Sequence, residues 1–430
     1  MSLSALLALL AVPFAVLPIT LTIDVLTLAC HHIRVKSRKI SLKPKGTGYL
    51  KGELRPSGRV SISEAGEVTV VISAHRESGI IEKSIRSVLR QDYPIKNIYV
   101  SDSNLDNTWE EVEKLENILA RFRKEFPAIY YWSRKGITSK SEKLNALVRD
   151  PGVKLGEYVY FVDSGLKLHS GTIRKLVESI ELEGAAAVTS FGYVKPPKNR
   201  AAKYFHFGKE WINRISKFRK SAQSYRRGVF VVCGASFMVR SEIARKIPIP
   251  TNVQTEDTAY TWKMQEEGYK ISFAPDAIVS TGDVPTLQRQ LRQSYRWYKG
   301  TWQVIYTRRG IFGPRSKAKS LAYLSVLPGL IEATVYTVGV LLFPFLLYFY
   351  PLYAAYFLIG DTTLTFVAPV LGPALSGDSR KIPWELLHTA RHYHHIMAFK
   401  FLSSALWILS FSGVLLEVLT GRSKNWGNKW

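Results

Sequence analysis

Residues 3–29, LSALLALLAVPFAVLPITLTIDVLTLA, contain no base and are long enough to cross a hydrocarbon core, which takes about 20 residues of helix. No other feature limits the fold as much, because a chain inside lipid must satisfy its own backbone polar groups, and a helix does so locally. Asp24 lies near the end of the run, where an acid is tolerated. The flank HHIRVKSRK follows at once, so this end is expected on the cytoplasmic side. A cleaved signal peptide is the alternative. It begins with a base and has a shorter apolar core, whereas MSLSALL has no base, which favours an uncleaved anchor.

A second apolar block runs from Leu321 to about Leu375, interrupted by Pro328, Pro344, Pro351 and the pair Gly360-Asp361. It has length for one, two or three passes. A third, 396–419, precedes the basic tail GRSKNWGNKW. Basic stretches, RRGIFGPRSKAK and GRSKNW, flank this C-terminal region and favour an even number of crossings between them. Residues 40–315 are therefore expected to form a cytosolic domain tethered at both ends.

Over the whole chain, 59 Lys+Arg against 34 Asp+Glu give a formal charge of +25. Such a surplus attracts nucleic acid, anionic lipid or nucleotide-linked substrates. The bases are scattered and no nucleic-acid-binding module is recognisable, which argues against the first. Cys30 and Cys233 are too few and too far apart for a disulfide framework or a cysteine zinc site, in keeping with a reducing compartment.

The run VTVVISA (68–74) reads as a buried strand, followed by the polar loop HRESG and the helical pattern IIEKSIRSVLRQ. NIYVSDS, IYYWSR and YVYFVDSG repeat the strand signal, alternating with the helical stretches WEEVEKLENILARFRKEF and KSEKLNALVRD. This alternation predicts an α/β fold with a mostly parallel sheet covered by helices on both faces. Ligands of such folds collect beyond the carboxyl ends of the strands. Three of those ends carry Glu77, Asp102 and Asp163. One acid after a strand is usually a turn or a cap; three on separate strands point to a site.

Asp102, in YVSDSNLDNT, can accept from the N–H and O–H donors of a nucleotide. Asp163 ends a strand too apolar to be exposed, and a carboxylate there can bridge a divalent metal to a diphosphate. The residue two positions on, where a second carboxylate would stand, is Gly165. Thr255-Glu256-Asp257 opens a helical stretch that Thr255 can cap, with both acids complementing the first turn. A carboxylate there can also take the proton of an attacking hydroxyl. In LQRQLRQSYRWYKGTWQ, Arg296 can fork onto phosphate oxygens, Trp297 offers a flat apolar face to a sugar ring, and Gln293 offers an amide. The bland reading of this stretch is a basic amphipathic helix on anionic lipid.

With these motifs in this order, the chain resembles the membrane-embedded family 2 glycosyltransferases of the cellulose, chitin and hyaluronan synthase type over residues 65–305. The resemblance implies a cytosolic GT-A-type, Rossmann-like mixed-sheet domain flanked by transmembrane helices. Its bounds would be a first helix at 1–32, a basic linker at 33–64, the transferase domain at 65–305, and interfacial and membrane helices at 306–430. It implies a UDP-sugar donor held by Glu77, Asp102, Lys140 and Asn145 of SKSEKLNAL, Asp163 and Arg296. It implies Mg²⁺ or Mn²⁺ on Asp163, the catalytic acids Asp257 and Glu256, and an acceptor near Cys233, Gly234, Gln293 and Trp297. The expected reaction is inverting β-transfer onto a growing polysaccharide, extruded through the protein's own membrane channel. A single transfer onto lipid, as by ceramide or diacylglycerol glucosyltransferases, is the alternative. Gly165 departs from the family's two-carboxylate pattern, which leaves Asp163, phosphate oxygens and waters to hold a metal. It also raises a third possibility, a scaffold without activity.

Overall fold

The computed structural model describes residues 21–30, 66–122, 126–137, 139–422 and 426. Most of the expected N-terminal span, the linker 33–64 and nearly all of the basic tail lie outside these residues. The chain divides into two units, each discontinuous in sequence. One takes in the described parts of Lys43–Lys195, Val231–Thr281 and Trp426; the other takes in Pro196–Phe230, Gly282–Lys424 and the helix α1, Leu21–Cys30. The domain expected as one stretch over 65–305 thus yields two segments, Pro196–Phe230 and the part from Gly282 onward, to the helical unit.

The first unit is a mixed eight-stranded sheet in the order β3-β2-β1-β4-β7-β6-β8-β5. Its strands are β1 (Val68–Ser73), β2 (Ile95–Ser101), β3 (Ala128–Trp132), β4 (Tyr158–Asp163), β5 (Lys167–Leu168), β6 (Ala187–Lys195), β7 (Ser236–Arg240) and β8 (Ile271–Gly282). The helices α2 (Ile81–Leu89), α3 (Thr108–Leu119), α4 (Lys140–Arg149) and α5 (Thr172–Glu183) alternate with the strands of the first half. VTVVIS and YVYFVD are apolar almost throughout because both faces are covered, the usual reading of a parallel central strand. β1 pairs parallel to β2 and to β4, and β2 parallel to β3, as the alternation predicts. The second half departs from it, since β7 runs antiparallel to β4 and β6 antiparallel to β7. Register brings Ser73 level with Ser101 on one side and with Asp163 on the other. That register gathers the polar residues following β1 and β2 beside the end of β4. The short α7 (Ser241–Lys246) and α8 (Glu256–Glu266) complete the unit.

The second unit is helical. It contains α6 (Arg200–Tyr225), α9 (Leu287–Thr307) and a helix Lys319–Phe349 built of α10 (Lys319–Leu321), a π turn at Ala322–Val326 and α11 (Leu327–Phe349). There follow α12 (Pro351–Ser376), α13 (Ile382–Arg391) and α14 (Tyr393–Leu419). Pro351 separates α11 from α12 and sits in the first turn of α12, where its missing N–H costs nothing. Three helices, Lys319–Phe349, Pro351–Ser376 and Tyr393–Leu419, are long and apolar enough to cross a membrane. The basic flanks favoured an even number. Those flanks report on helix ends, and Gly360-Asp361, read as an interruption, lies inside the continuous helix α12. Asp24, expected to be tolerated by its nearness to a helix end, is 3% exposed and ion-paired with Arg226, which follows the last residue of α6.

Candidate active site

The strand ends of the sheet unit carry a connected polar network. Asp102 is 1% exposed, and its Oδ2 accepts from the backbone N–H of Asn104 (3.0 Å) and from the Tyr131 hydroxyl (2.9 Å). Its Oδ1 is buried, with no hydrogen-bond donor among the described residues. A buried carboxylate oxygen without a donor is costly, and a ligand N–H or O–H would relieve it. Lys143 reaches the same corner from α4, donating to Ser103 Oγ (2.8 Å) and to the carbonyl of Ala74 (3.1 Å). Burial lowers the pKa of its ammonium, with Asp102 acting in the opposite sense. His75, after β1, has its Nδ1 2.9 Å from Ser103 Oγ, and burial and Lys143 both lower its pKa.

Glu77 closes the β1 loop. Burial raises the pKa of its carboxyl, and Asp163, Asp106 and Asp102 push the same way against a hydrogen bond with Ser164. Asp163 is held by its backbone N–H, which donates to Ala235 (2.9 Å). Its Oδ1 accepts from Lys140, the first residue of α4. The same ammonium donates to the carbonyl of Gly234 (3.0 Å), and the N–H of Gly234 donates to Asp257 Oδ2 (3.1 Å). Asp257 Oδ1 accepts from the N–H of Thr258 (2.7 Å) in the first turn of α8. A continuous chain Asp163–Lys140–Gly234–Asp257 therefore joins two motifs 94 residues apart. Burial opposes the charge on Lys140, yet Asp163, Glu256 and Asp257 together hold its pKa above the ordinary lysine value.

Gly234 has to be glycine. A Cβ there would lie 2.6 Å from Asp257 Oδ2 and 2.9 Å from its Cβ. Cys233 contributes its backbone N–H, which donates to Thr189 Oγ1 (2.7 Å). Thr255, read as a helix cap, makes no side-chain cap bond. Asn145, expected at the donor, is bonded through its amide to the segment before α8. Its Nδ2 donates to the carbonyl of Ile249 (2.8 Å) and its Oδ1 accepts from that residue's N–H (2.8 Å). Both ends of the amide clasp the segment leading to α8.

The metal expectation also changes. Among the described residues no group of three or more His, Cys, Asp or Glu side chains is placed to hold a metal ion. Gly165 supplies no carboxylate, and Asp163 is neutralised by an ammonium. One carboxylate with a cation already on it does not fit a protein-built divalent centre.

Gln293, Arg296 and Trp297 lie in the helical unit, on α9. Gln293 Oε1 accepts from Lys209 of α6 (3.3 Å), whose ammonium stands 5.7 Å from the centroid of Trp297. Lys209 and His206 both bind Asp283, at 2.8 and 2.7 Å, and Asp283 is itself 2% exposed in its side chain. Trp297 is 43% exposed and Arg296 is exposed. Sequence reading missed Lys143, Tyr131 and Lys209. Only Lys143 carried a signal, standing three residues after Lys140 on the same helical face.

The family described as "Glycosyltransferase like family 2" matches residues 65–300. The "Probable glycosyltransferase YdaM" of Bacillus subtilis is 24% identical over 259 residues, 58% of this chain and 59% of that protein. The "Poly-beta-1,6-N-acetyl-D-glucosamine synthase" of Staphylococcus aureus is 23% identical over 264 residues, 60% of each. The chain thus spans less than two thirds of the length of these curated relatives. In fold, it resembles a mannosyltransferase of Pyrobaculum calidifontis solved in complex with GDP-Man and Mn²⁺. The TM-score is 0.55 at 18% identity, covering 89% of this chain and 97% of that one.

Proposed function

We propose that this chain, which belongs to glycosyltransferase-like family 2, moves a sugar from a nucleoside diphosphate donor onto a growing polysaccharide with inversion at the anomeric carbon. The observation that carries the reading is the chain Asp163–Lys140–Gly234–Asp257, which sets a carboxylate and an ammonium on either side of one glycine. Asp257 is the base. It takes the acceptor hydroxyl proton as the new C–O bond forms, while the bond from the anomeric carbon to the diphosphate breaks. The electron pair leaves on the diphosphate, where fixed positive charge favours the transition state over the ground state. Asp102, with its donor-free oxygen, takes an N–H or O–H of the nucleoside. Gln293, Arg296 and Trp297 are assigned to diphosphate and acceptor on their motif alone.

A UDP-sugar is the favoured donor, and a polymer the favoured product. In this reading the donor site faces the cytosol, and the apolar helices carry the product outward. The test is purified protein in detergent offered UDP- and GDP-sugars, with nucleotide release followed and products sized. Release with a β-linked polymer is the expected result. Products limited to one sugar on an organic-soluble lipid would replace the polymer reading. No release from any donor, with nucleotide bound, would remove the activity.

A further inference from the structure

The end of β4 shows what stands where a second carboxylate is missing. Gly165 has φ +78°, and a Cβ there would meet nothing nearer than Ile80 Cγ2 at 3.8 Å. Among the described residues no side chain comes nearer to that Cβ position than Ile80. On the other side Asp163 faces Lys140, which is only 7% exposed and bonds to Asp163 and to the Gly234 carbonyl. An ammonium has three N–H donors, so this leaves one for a ligand oxygen. The charge balance supports the same reading. Lys140 is the cation that Asp163, Glu256 and Asp257 already share, where a dication would otherwise answer those carboxylates. A dication brought to Asp163 would meet Lys140 as a like charge, with Lys143 a further positive charge one helical turn away.

We infer that Lys140 stands in for the divalent cation, so that this transferase binds its donor and turns over without metal. The inference rests on the sugar-nucleotide reading above. In the transfer step the acceptor oxygen bonds to the anomeric carbon as the bond from that carbon to the β-phosphate oxygen breaks; the electron pair stays on the phosphate oxygen, to which the free N–H of Lys140 donates a hydrogen bond. Asp163 is then a positioning residue that aims the ammonium. Lys143 adds positive potential behind the phosphates.

The experiment uses the full chain in detergent, with UDP and GDP as calorimetric probes, in excess EDTA or in millimolar Mn²⁺. Nucleotide affinity is expected to agree within about threefold between the two, which is under ~1 kcal/mol. Lys140→Met is expected to weaken binding by about tenfold or more with an unchanged melting profile, and Lys140→Arg to restore part of it. Free Mn²⁺ followed by electron paramagnetic resonance is expected to fall no further with parent protein and nucleotide together than with the nucleotide alone, whose phosphates themselves hold part of the ion. Gly165→Asp, which rebuilds the second carboxylate, is expected to capture it. Nucleotide binding that EDTA abolishes and Mn²⁺ restores in the parent overturns the inference. If neither nucleotide binds under either condition, the donor-site reading falls and takes the inference with it.

Discussion

Lys140 with Asp163, and Lys400 with Asp361, are the same two side chains in two settings. In the helical unit Lys400 of α14 donates to Asp361 and to Thr365 of α12, each at 2.6 Å. Its ammonium also lies 4.8 Å from the centroid of Trp211 and 5.6 Å from that of Tyr336. The side chains of this pair are 10% and 7% exposed. Two hydrogen bonds and two aromatic rings thus surround the ammonium, on a helix apolar enough to cross a membrane. Charges there are expensive and persist when paired, so this pair clamps α12 to α14. In the sheet unit Lys140 is as deeply placed, but its Asp163 partner has a side chain 37% exposed at an open strand end. A pair closed on all sides holds structure. A pair with one open side can spend its charge on a ligand.

The largest expected effect lies on the open side. Asp257→Asn should lower kcat by about 10²–10⁴-fold while leaving nucleotide affinity near the parent value, measured by donor turnover and calorimetry. Ordinary turnover in that variant would show that the base is another residue. On the closed side, Lys400→Met should cost about 3–5 kcal/mol of stability by stranding a buried aspartate. The double variant Lys400→Met/Asp361→Leu should regain most of it. If thermal melts in detergent show no loss for the single variant, the contrast between clamp and site fails. Gly234→Ala sharpens the comparison further, because its Cβ would displace Asp257. A drop in kcat of about 10²-fold with unchanged nucleotide affinity is expected, as for a reacting group moved by about an ångström.

The smallest effect concerns pH. Burial, reinforced by Asp163, Asp106 and Asp102, raises the pKa of Glu77 above that of a free glutamate. Between the ordinary and the raised value the folded chain holds the proton more tightly than the unfolded one. This group's contribution to stability is therefore present at lower pH and is lost as pH rises through that window. Melting temperatures of Glu77→Gln should fall less over this rise in pH than those of the parent. Equal slopes would mean that Glu77 is not what the surrounding carboxylates act on.

Much of this was legible in the residues themselves. Apolar length marked the C-terminal helices, and the alternation of strand and helix signals marked β1 to β4, since both depend on periodicities local to each segment. Glu77, Asp102, Asp163 and Asp257 stood out because polar residues at the ends of buried strands and helices need a reason to be there. Other features came only from tertiary structure. The central position of β1 between β2 and β4 brings the corner of Asp102 and Lys143 beside the chain from Asp163 to Asp257. The reach of Lys140 turns a presumed metal ligand into half of an ion pair, and Asn145 meets Ile249, 104 residues on. Lys400 and Asp361, 39 residues apart, carry no common signal along the chain. A pattern in sequence reports which face a side chain prefers. Which partner it meets there depends on strand order and helix packing, and those are set by contacts between distant segments.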